Sequence, residues 1–333
     1  MTLAEAAGSG RAGHAYVFCG PDGIGRRSFA KEFARAVMCT GAEGGAVPCG
    51  NCPSCRLLAS GTNPDLKLIR GDESRATVGV ETVRQLEEDI ATAPTVSARK
   101  VYIIERSEKL TVQAQNALLK TIEEPPSYVM LILICSNPSL LIDTVRSRVT
   151  RLDFARYSNE EVLKAYRDAA EEGAPELSAE DGELVTSYAD GIIGRGLQFR
   201  DFGFYGALRE RIFDTLLLLK EGRSAFFAGF TELFTSKDNA ADREYMFFEL
   251  TSAVRDAMVY ARTNDAGTLQ NRQFRDKIEE LAEIAGRHGW EKALDAVSGA
   301  YQLTGQNVNY RMIIVNLAAQ IIDAVQGDSG RLK

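Results

Sequence analysis

Four of the six cysteines crowd into one short stretch of the chain. Cys49-Gly-Asn-Cys52-Pro-Ser-Cys55 makes two successive C-x-x-C steps, and Cys39 stands upstream as a fourth thiol. Tight C-x-x-C turns present paired thiolates to one Zn²⁺, and four thiolates fill its tetrahedral shell. No position is left for water, so the spacing predicts a structural ion rather than a catalytic one. The competing reading is four reduced thiols on a loop. In a reducing compartment, clustered cysteines favour metal over disulfide. Cys19 and Cys135 lie inside apolar runs and read as small buried hydrophobes. With only His14 and His288 present, imidazole acid–base chemistry has little to work with.

A second constellation is His14-Ala-Tyr-Val-Phe-Cys-Gly-Pro-Asp-Gly-Ile-Gly-Arg-Arg-Ser28. An apolar strand, a turn with Gly20, Gly23 and Gly25, and a helical pattern from Ser28 to Met38 form the context of a Walker A phosphate loop. The Lys that would reach the β/γ-phosphates is Arg26, and the hydroxyl that would hold Mg²⁺ is Arg27. Ser28 comes one residue late, which on a helix turns a side chain about 100° away. Taken alone, the stretch is either a nucleotide loop stripped of its chemistry or an ordinary glycine turn. Backbone N–H groups and two arginines at a helix start still attract an anion.

The run Lys100-Val-Tyr-Ile-Ile-Glu-Arg106 has the shape of a Walker B strand, in which Asp-Glu would organise Mg²⁺ and polarise the attacking water. Glu105 and Arg106 occupy those places, and a guanidinium cannot serve as a base. A plain buried strand ending in exposed charges fits equally well, and both readings predict no hydrolysis here. A third cluster, Asp143-Thr-Val-Arg-Ser-Arg-Val-Thr-Arg151, gathers Arg146, Arg148 and Arg151. It is either a solvated basic face or a place from which a rigid arginine reaches a neighbour's phosphate.

These residues need elements to hold them. The first half alternates strand-like runs (Ala15–Cys19, Leu66–Ile69, Val101–Glu105, Met130–Cys135, and Val149–Phe154 as an edge) with helical ones (Ser28–Met38, Val80–Thr92, Thr111–Glu124). Such alternation predicts a mostly parallel α/β sheet. Pro125-Pro126 stops the last of those helices. A helical stretch over Asn159–Phe199, broken by the Gly191–Gly196 turn cluster, follows. From Phe204 the pattern is helical almost throughout, with apolar periodicity in Leu208–Leu219, Tyr245–Arg262, Arg272–Arg287 and Asn309–Val325 and a frayed tail over Gly327–Lys333. At 333 residues the chain has room for two or three domains. The 39 basic against 46 acidic residues, a net charge of −7, argue against nonspecific duplex binding as the main task. No membrane span or signal peptide is expected, and the reading is cytoplasmic.

Gly20-Pro-Asp-Gly-Ile-Gly25, the cysteine cluster, Asn63-Pro-Asp-Leu66, Asn116-Ala-Leu-Leu-Lys-Thr-Ile-Glu-Glu-Pro-Pro126 and Ser147-Arg148 occur in one order. Together they resemble the clamp-loader family of bacterial DNA polymerase III, a branch of the AAA+ proteins. Motifs carry the match through the first 200 residues, and general helical pattern carries the remainder. The family holds ATPase gamma/tau subunits and a delta-prime subunit that shares their fold without hydrolysing ATP. Arg26, Arg27, Glu105 and Arg106 depart from the ATPase pattern. So does Gly194, which falls where the family carries a second sensing arginine, with Arg195 offset by one. Val149 stands for the Cys of the family's Ser-Arg-Cys motif and leaves Arg148 available. The stretch before Gly13 is short for the family, which further disfavours nucleotide. These departures turn the resemblance toward delta-prime.

The resemblance implies a RecA-like (AAA+) α/β domain over 1–154 with an inserted zinc module near 39–55, a small helical lid over 155–203, and an all-α collar over 204–333 that binds other subunits. It implies no ATP or Mg²⁺ in the chain's own site and no intrinsic catalysis, the chain being a non-catalytic part of a DNA-directed DNA polymerase holoenzyme. Arg148, with Ser147, would act in trans on a neighbouring ATP. Partners would be gamma/tau and delta subunits and, indirectly, the sliding clamp and primer-template DNA. The alternatives are an ATP-hydrolysing gamma/tau-type subunit and a stand-alone zinc protein that binds nucleic acid.

Overall fold

The computed structural model describes the chain except residues 1–5, 8–10, 42–46, 71–76, 170–176, 200–201, 238, 240–241, 307 and 330–333. It falls into two compact units, Met1–Gln198 and Phe199–Lys333.

The first unit is built on a five-stranded sheet in the order β2-β3-β4-β1-β5, with every pairing parallel. Its strands are β1 (Ala15–Cys19), β2 (Leu66–Ile69), β3 (Lys100–Ile104), β4 (Val129–Cys135) and β5 (Thr150–Asp153). The three inner strands are buried along their whole length, as continuous apolar runs must be when helices cover both faces. One face packs Val17, Tyr102, Ile104, Leu131 and Leu133 with Leu86, Leu118 and Ile122. The other packs Phe18, Val101, Ile103 and Ile132 with Phe33, Ala34 and Met38. Lys100 is the polar exception at the start of β3. Its buried ammonium donates to the Asp89 carbonyl at 2.8 Å and to Thr92 Oγ1 at 2.8 Å, which satisfies it.

The helices of this unit are α1 (Arg26–Met38), α2 (Pro53–Ala59), α3 (Val80–Ile90), α4 (Val112–Glu123), α5 (Asp143–Arg146), α6 (Asn159–Asp168), α7 (Ala179–Ala189) and α8 (Ile193–Gly196). Thr111 caps α4, its hydroxyl accepting the Ala114 N–H at 3.2 Å. The α/β expectation holds, with strand bounds that differ from the expected ones by a residue or so. The Gly191–Gly196 cluster, expected as a break, contains the one-turn helix α8.

The second unit contains α9 (Phe202–Leu217), α10 (Arg223–Thr235), α11 (Arg243–Thr263), α12 (Arg275–Ile284), α13 (Arg287–Thr304) and α14 (Tyr310–Ser329). Phe213, Phe226, Phe230, Phe234, Phe247 and Trp290 fill its core, and the Trp290 indole donates to the Leu281 carbonyl at 3.1 Å. Buried Asp256 accepts N–H groups of Gln270 at 3.0 Å and Asn271 at 2.8 Å, tying the segment after α11 to that helix. The helix expected over Arg272–Arg287 is shorter. Ala285 is extended and Gly286 opens the next helix, so two helices meet where one apolar periodicity runs on. The tail is ordered as far as Ser329 in α14, and residues 330–333 lie outside the described residues. No helix among the described residues is long and apolar enough to cross a membrane.

Candidate functional site

The glycine loop leaves β1 and enters α1. Gly23 and Gly25 have φ of 83° and 105°, values that favour glycine, and Gly25 is the residue preceding α1. No side chain caps that helix start. The loop thus has the backbone of a phosphate cradle. A cleft of about 300 Å³ opens over it, lined by Asp22, Arg26, Arg27, Ser28, Glu105 and Arg106 among others.

Two of these arginines pair with carboxylates of the same lining. Arg26, 6% exposed, pairs with Asp22, and its Nη1 is buried without a hydrogen-bond partner. Arg27 Nε lies 2.8 Å from Glu105 Oε1, an ion pair not aligned as a hydrogen bond. Arg70 Nε approaches the other carboxylate oxygen at 3.1 Å. The two positions that flank Mg²⁺ in a P-loop NTPase are therefore joined directly, guanidinium to carboxylate. Arg106 follows in the left-handed region, with φ of 51°. Gly194 comes to the same loop from α8. Its N–H donates to the Gly23 carbonyl at 3.0 Å, and a Cβ there would stand 2.7 Å from that oxygen. A side chain at this position would have to push the loop away.

At the other end of α1 the four cysteines meet. Cys39 follows the last residue of the helix, Cys52 caps α2 and Cys55 lies in its first turn. Their sulfurs, with that of Cys49, all lie within 4.8 Å of one another. Cys49 N–H points to Cys39 Sγ, Cys52 N–H to Cys49 Sγ and Cys55 N–H to Cys52 Sγ, each at 3.4 Å. Backbone donors aimed at sulfur favour thiolates. Burial opposes ionisation at Cys52, yet hydrogen bonds from Thr40 and the Cys55 N–H draw its thiol down to about 5. A Cβ at Gly41 would lie 2.7 Å from Cys49 Sγ, so the chain passes too close for a side chain. The donor set and its spacing fit one tetrahedral soft-ligand ion.

The Asn63-Pro-Asp-Leu motif supports this module. Buried Asp65 accepts backbone N–H groups of Thr95, Val96 and Ser97 at 2.7, 2.8 and 2.8 Å. Burial would raise its carboxyl, but those donors outweigh it and hold it below its ordinary value of 3.8. Asn63 Nδ2 donates to the Ser54 carbonyl in α2 at 3.2 Å. Strand β2 and the cysteine module are thereby joined through the 95–97 segment.

Arg148 lies between α5 and the edge strand β5, away from the glycine loop's own residues in sequence and 41% exposed. Its Nη1 donates to the Thr144 carbonyl at 3.0 Å and to Ser147 Oγ at 3.3 Å, and its Nε is 2.6 Å from Glu123 Oε1. Reading the sequence singled out neither Arg70 nor Glu123 as a partner. Arg70 carried no signal, whereas Glu123 sat inside the Asn116–Pro126 run without a role. Cys19 and Cys135 are buried and face each other in register across β1 and β4, and burial raises both thiols.

Comparison with known proteins follows the same line. A family model described as DNA polymerase III, delta subunit, matches residues 1–158. The delta' subunit of Pseudomonas aeruginosa DNA polymerase III is 37% identical over 173 residues, 51% of this chain and 52% of that one. The tau subunit of Bacillus subtilis DNA polymerase III is 35% identical over 190 residues, 56% of this chain and 33% of that one. The matched stretches thus span about half or less of those relatives' lengths. A solved structure of a DNA polymerase III gamma subunit-related protein from Thermotoga maritima superposes with a TM-score of 0.52 at 17% identity, covering 97% of this chain and 100% of that one. It carries the fold alone. The family model covers just under half of the chain, and the relatives the chain resembles are delta' and tau subunits of DNA polymerase III alike.

Proposed function

We propose that this chain is a non-hydrolysing delta-prime-type clamp-loader subunit that assembles with gamma/tau and delta subunits and offers Arg148 to an ATP held by a neighbour. The observation that carries the first part is the Arg27–Glu105 ion pair. It joins the residues at the two positions that would hold Mg²⁺ in a hydrolysing relative, and Arg106 stands where a residue that polarises water would be needed. For the second part, Arg148 stands exposed at a sheet edge, supported by Ser147 and Glu123. A guanidinium at a neighbour's γ-phosphate is worth roughly 10³–10⁵ in rate in other phosphoryl-transfer systems.

In this reading residues 1–154 form the AAA+-type domain, 155–203 a lid and 204–333 a collar through which subunits join. Cys39, Cys49, Cys52 and Cys55 hold a structural Zn²⁺, which supplies cross-linking and no chemistry. The assembled complex would place the sliding clamp on primed DNA inside the cell. Steady-state ATPase assays test both halves. The purified chain with Mg²⁺ and ATP should show no turnover, and turnover lost in Glu105→Gln would establish the gamma/tau-type alternative instead. A loader reconstituted with Arg148→Ala should lose most of its DNA- and clamp-stimulated hydrolysis, and full activity would remove Arg148 from the mechanism.

A further inference from the structure

We infer that Glu123 is the positioning residue for Arg148, holding its guanidinium plane so that one face is presented to a nucleoside triphosphate of an adjoining subunit. The inference rests on the reading of Arg148 as a residue that acts in trans.

The starting observation is an electrostatic oddity. Helix α4 ends at Glu123, with Glu124 as its C-cap and Pro125-Pro126 beyond. A helix C-terminus carries partial negative charge and favours cations, so two successive carboxylates there oppose the local preference. A local choice that contradicts its element points to a tertiary reason. For Glu123 that reason is Arg148, whose Nε lies 2.6 Å from its Oε1.

The three arginines of this edge separate on the same criterion. Arg146 pairs with Asp143 three residues away, and Arg151 pairs with Asp153 two residues away, at 2.8 Å. Arg148 takes its carboxylate from a different element. Its Nη1 meanwhile donates to the Thr144 carbonyl and Ser147 Oγ of the α5 turn. Nε is thus held from α4 by an ion pair not aligned as a hydrogen bond, and Nη1 from α5 by two hydrogen bonds. Because guanidinium is planar, fixing those two nitrogens fixes the direction of the third. Nη2 makes no hydrogen bond among the described residues, and the two side chains are 41% and 46% exposed. An acceptor arriving from outside can therefore meet Nη2 while the Glu123 contact persists. The side chain has then surrendered its rotamer freedom before the phosphate arrives, which is the condition for effective positioning.

The test uses the loader reconstituted from full-length chains, with DNA- and clamp-stimulated ATPase measured against ATP concentration. Arg148→Ala comes first and should lower kcat. Glu123→Ala should lower kcat about three- to tenfold at unchanged KM for ATP, and Glu123→Lys, which repels the guanidinium, should lower it further. Glu124→Ala, removing the adjacent exposed carboxylate, should stay within about twofold of the parent. In an Arg148→Ala background both Glu123 substitutions should have no additional effect, because a positioning residue acts only through what it positions. If Arg148→Ala is slow and Glu123→Ala runs at the parental rate, positioning by Glu123 is wrong and the finger stands. The same holds if Glu123→Ala slows the complex further without Arg148. If Arg148→Ala itself is fully active, the reading beneath the inference fails.

Discussion

Helix α1 begins at the glycine loop and is followed immediately by the first of the four clustered cysteines, so two sites of different make-up share one element. At its N-terminus the backbone has the form of a phosphate cradle, and arginines stand at the two positions that follow it. At its C-terminus all four ligand atoms converge within 4.8 Å. The contrast lies in what each site is made of. A phosphate loop is chiefly main chain, and positive φ at Gly23 and Gly25 together with the start of α1 keeps its shape whatever residues follow. Its altered side chains have found partners at hand, Asp22 for Arg26 and Glu105 for Arg27. A four-thiolate site has no such latitude, since every ligand is a side chain and loss of one opens the coordination shell.

That difference can be broken most forcefully at the cysteine end. One Zn²⁺ per chain is expected by elemental analysis, and stripping it with a chelator, or Cys52→Ser, should lower the unfolding temperature by about 10 °C or more, since metal binding is coupled to folding. An unchanged melting curve would reduce the cluster to four thiols on a loop. Next in size is Asp65→Ala beside that module. It strands three backbone N–H donors, that of Ser97 buried and the other two partly so, and should destabilise the first unit by about 2–4 kcal/mol in denaturant titrations. The folded Asp65 carboxyl lies below its ordinary value of 3.8, so its contribution is fully present above that pH and is lost as pH falls through the still lower folded value. The parent should therefore lose stability on the acid side of pH 4 more steeply than Asp65→Asn.

At the loop end the effects should be smaller. Gly194→Ala would bring a Cβ within 2.7 Å of the Gly23 carbonyl and should cost about 1–3 kcal/mol as the loop shifts. Arg27→Ala removes an ion pair between groups 46% and 17% exposed, while Arg70 still covers Glu105. Its cost should fall within about 1 kcal/mol. Should Arg27→Ala instead unfold the unit, the ion pair would be structural and the loop would depend on its side chains after all.

Motifs written as contiguous residues were legible early. The two C-x-x-C steps, the glycine turn and the apolar strands each depend on local spacing, and the strands lie within a residue or so of their expected places. Partners distant in the chain were not legible. Arg70 offers no pattern, and it meets Glu105 only because β2 and β3 pair in register with Ile69 beside Ile104. The Arg272–Arg287 periodicity could not show the extended Ala285 that divides it. An apolar repeat reports which face is buried and not where the backbone stops being helical.

Glycines, cysteine spacing and the absence of Lys, Ser/Thr and Asp-Glu from the Walker positions are properties of the chain, so the sequence alone showed a glycine turn in a phosphate-loop context whose flanking side chains depart from the hydrolysing pattern. Which charge neutralises which was decided by the tertiary structure. Arg27 came to Glu105, Gly194 to Gly23 and Arg148 to Glu123 because a parallel sheet with helices on both faces brings together residues far apart in sequence. Coulombic and hydrogen-bond energies depend on separation in space, and separation along the chain does not supply it.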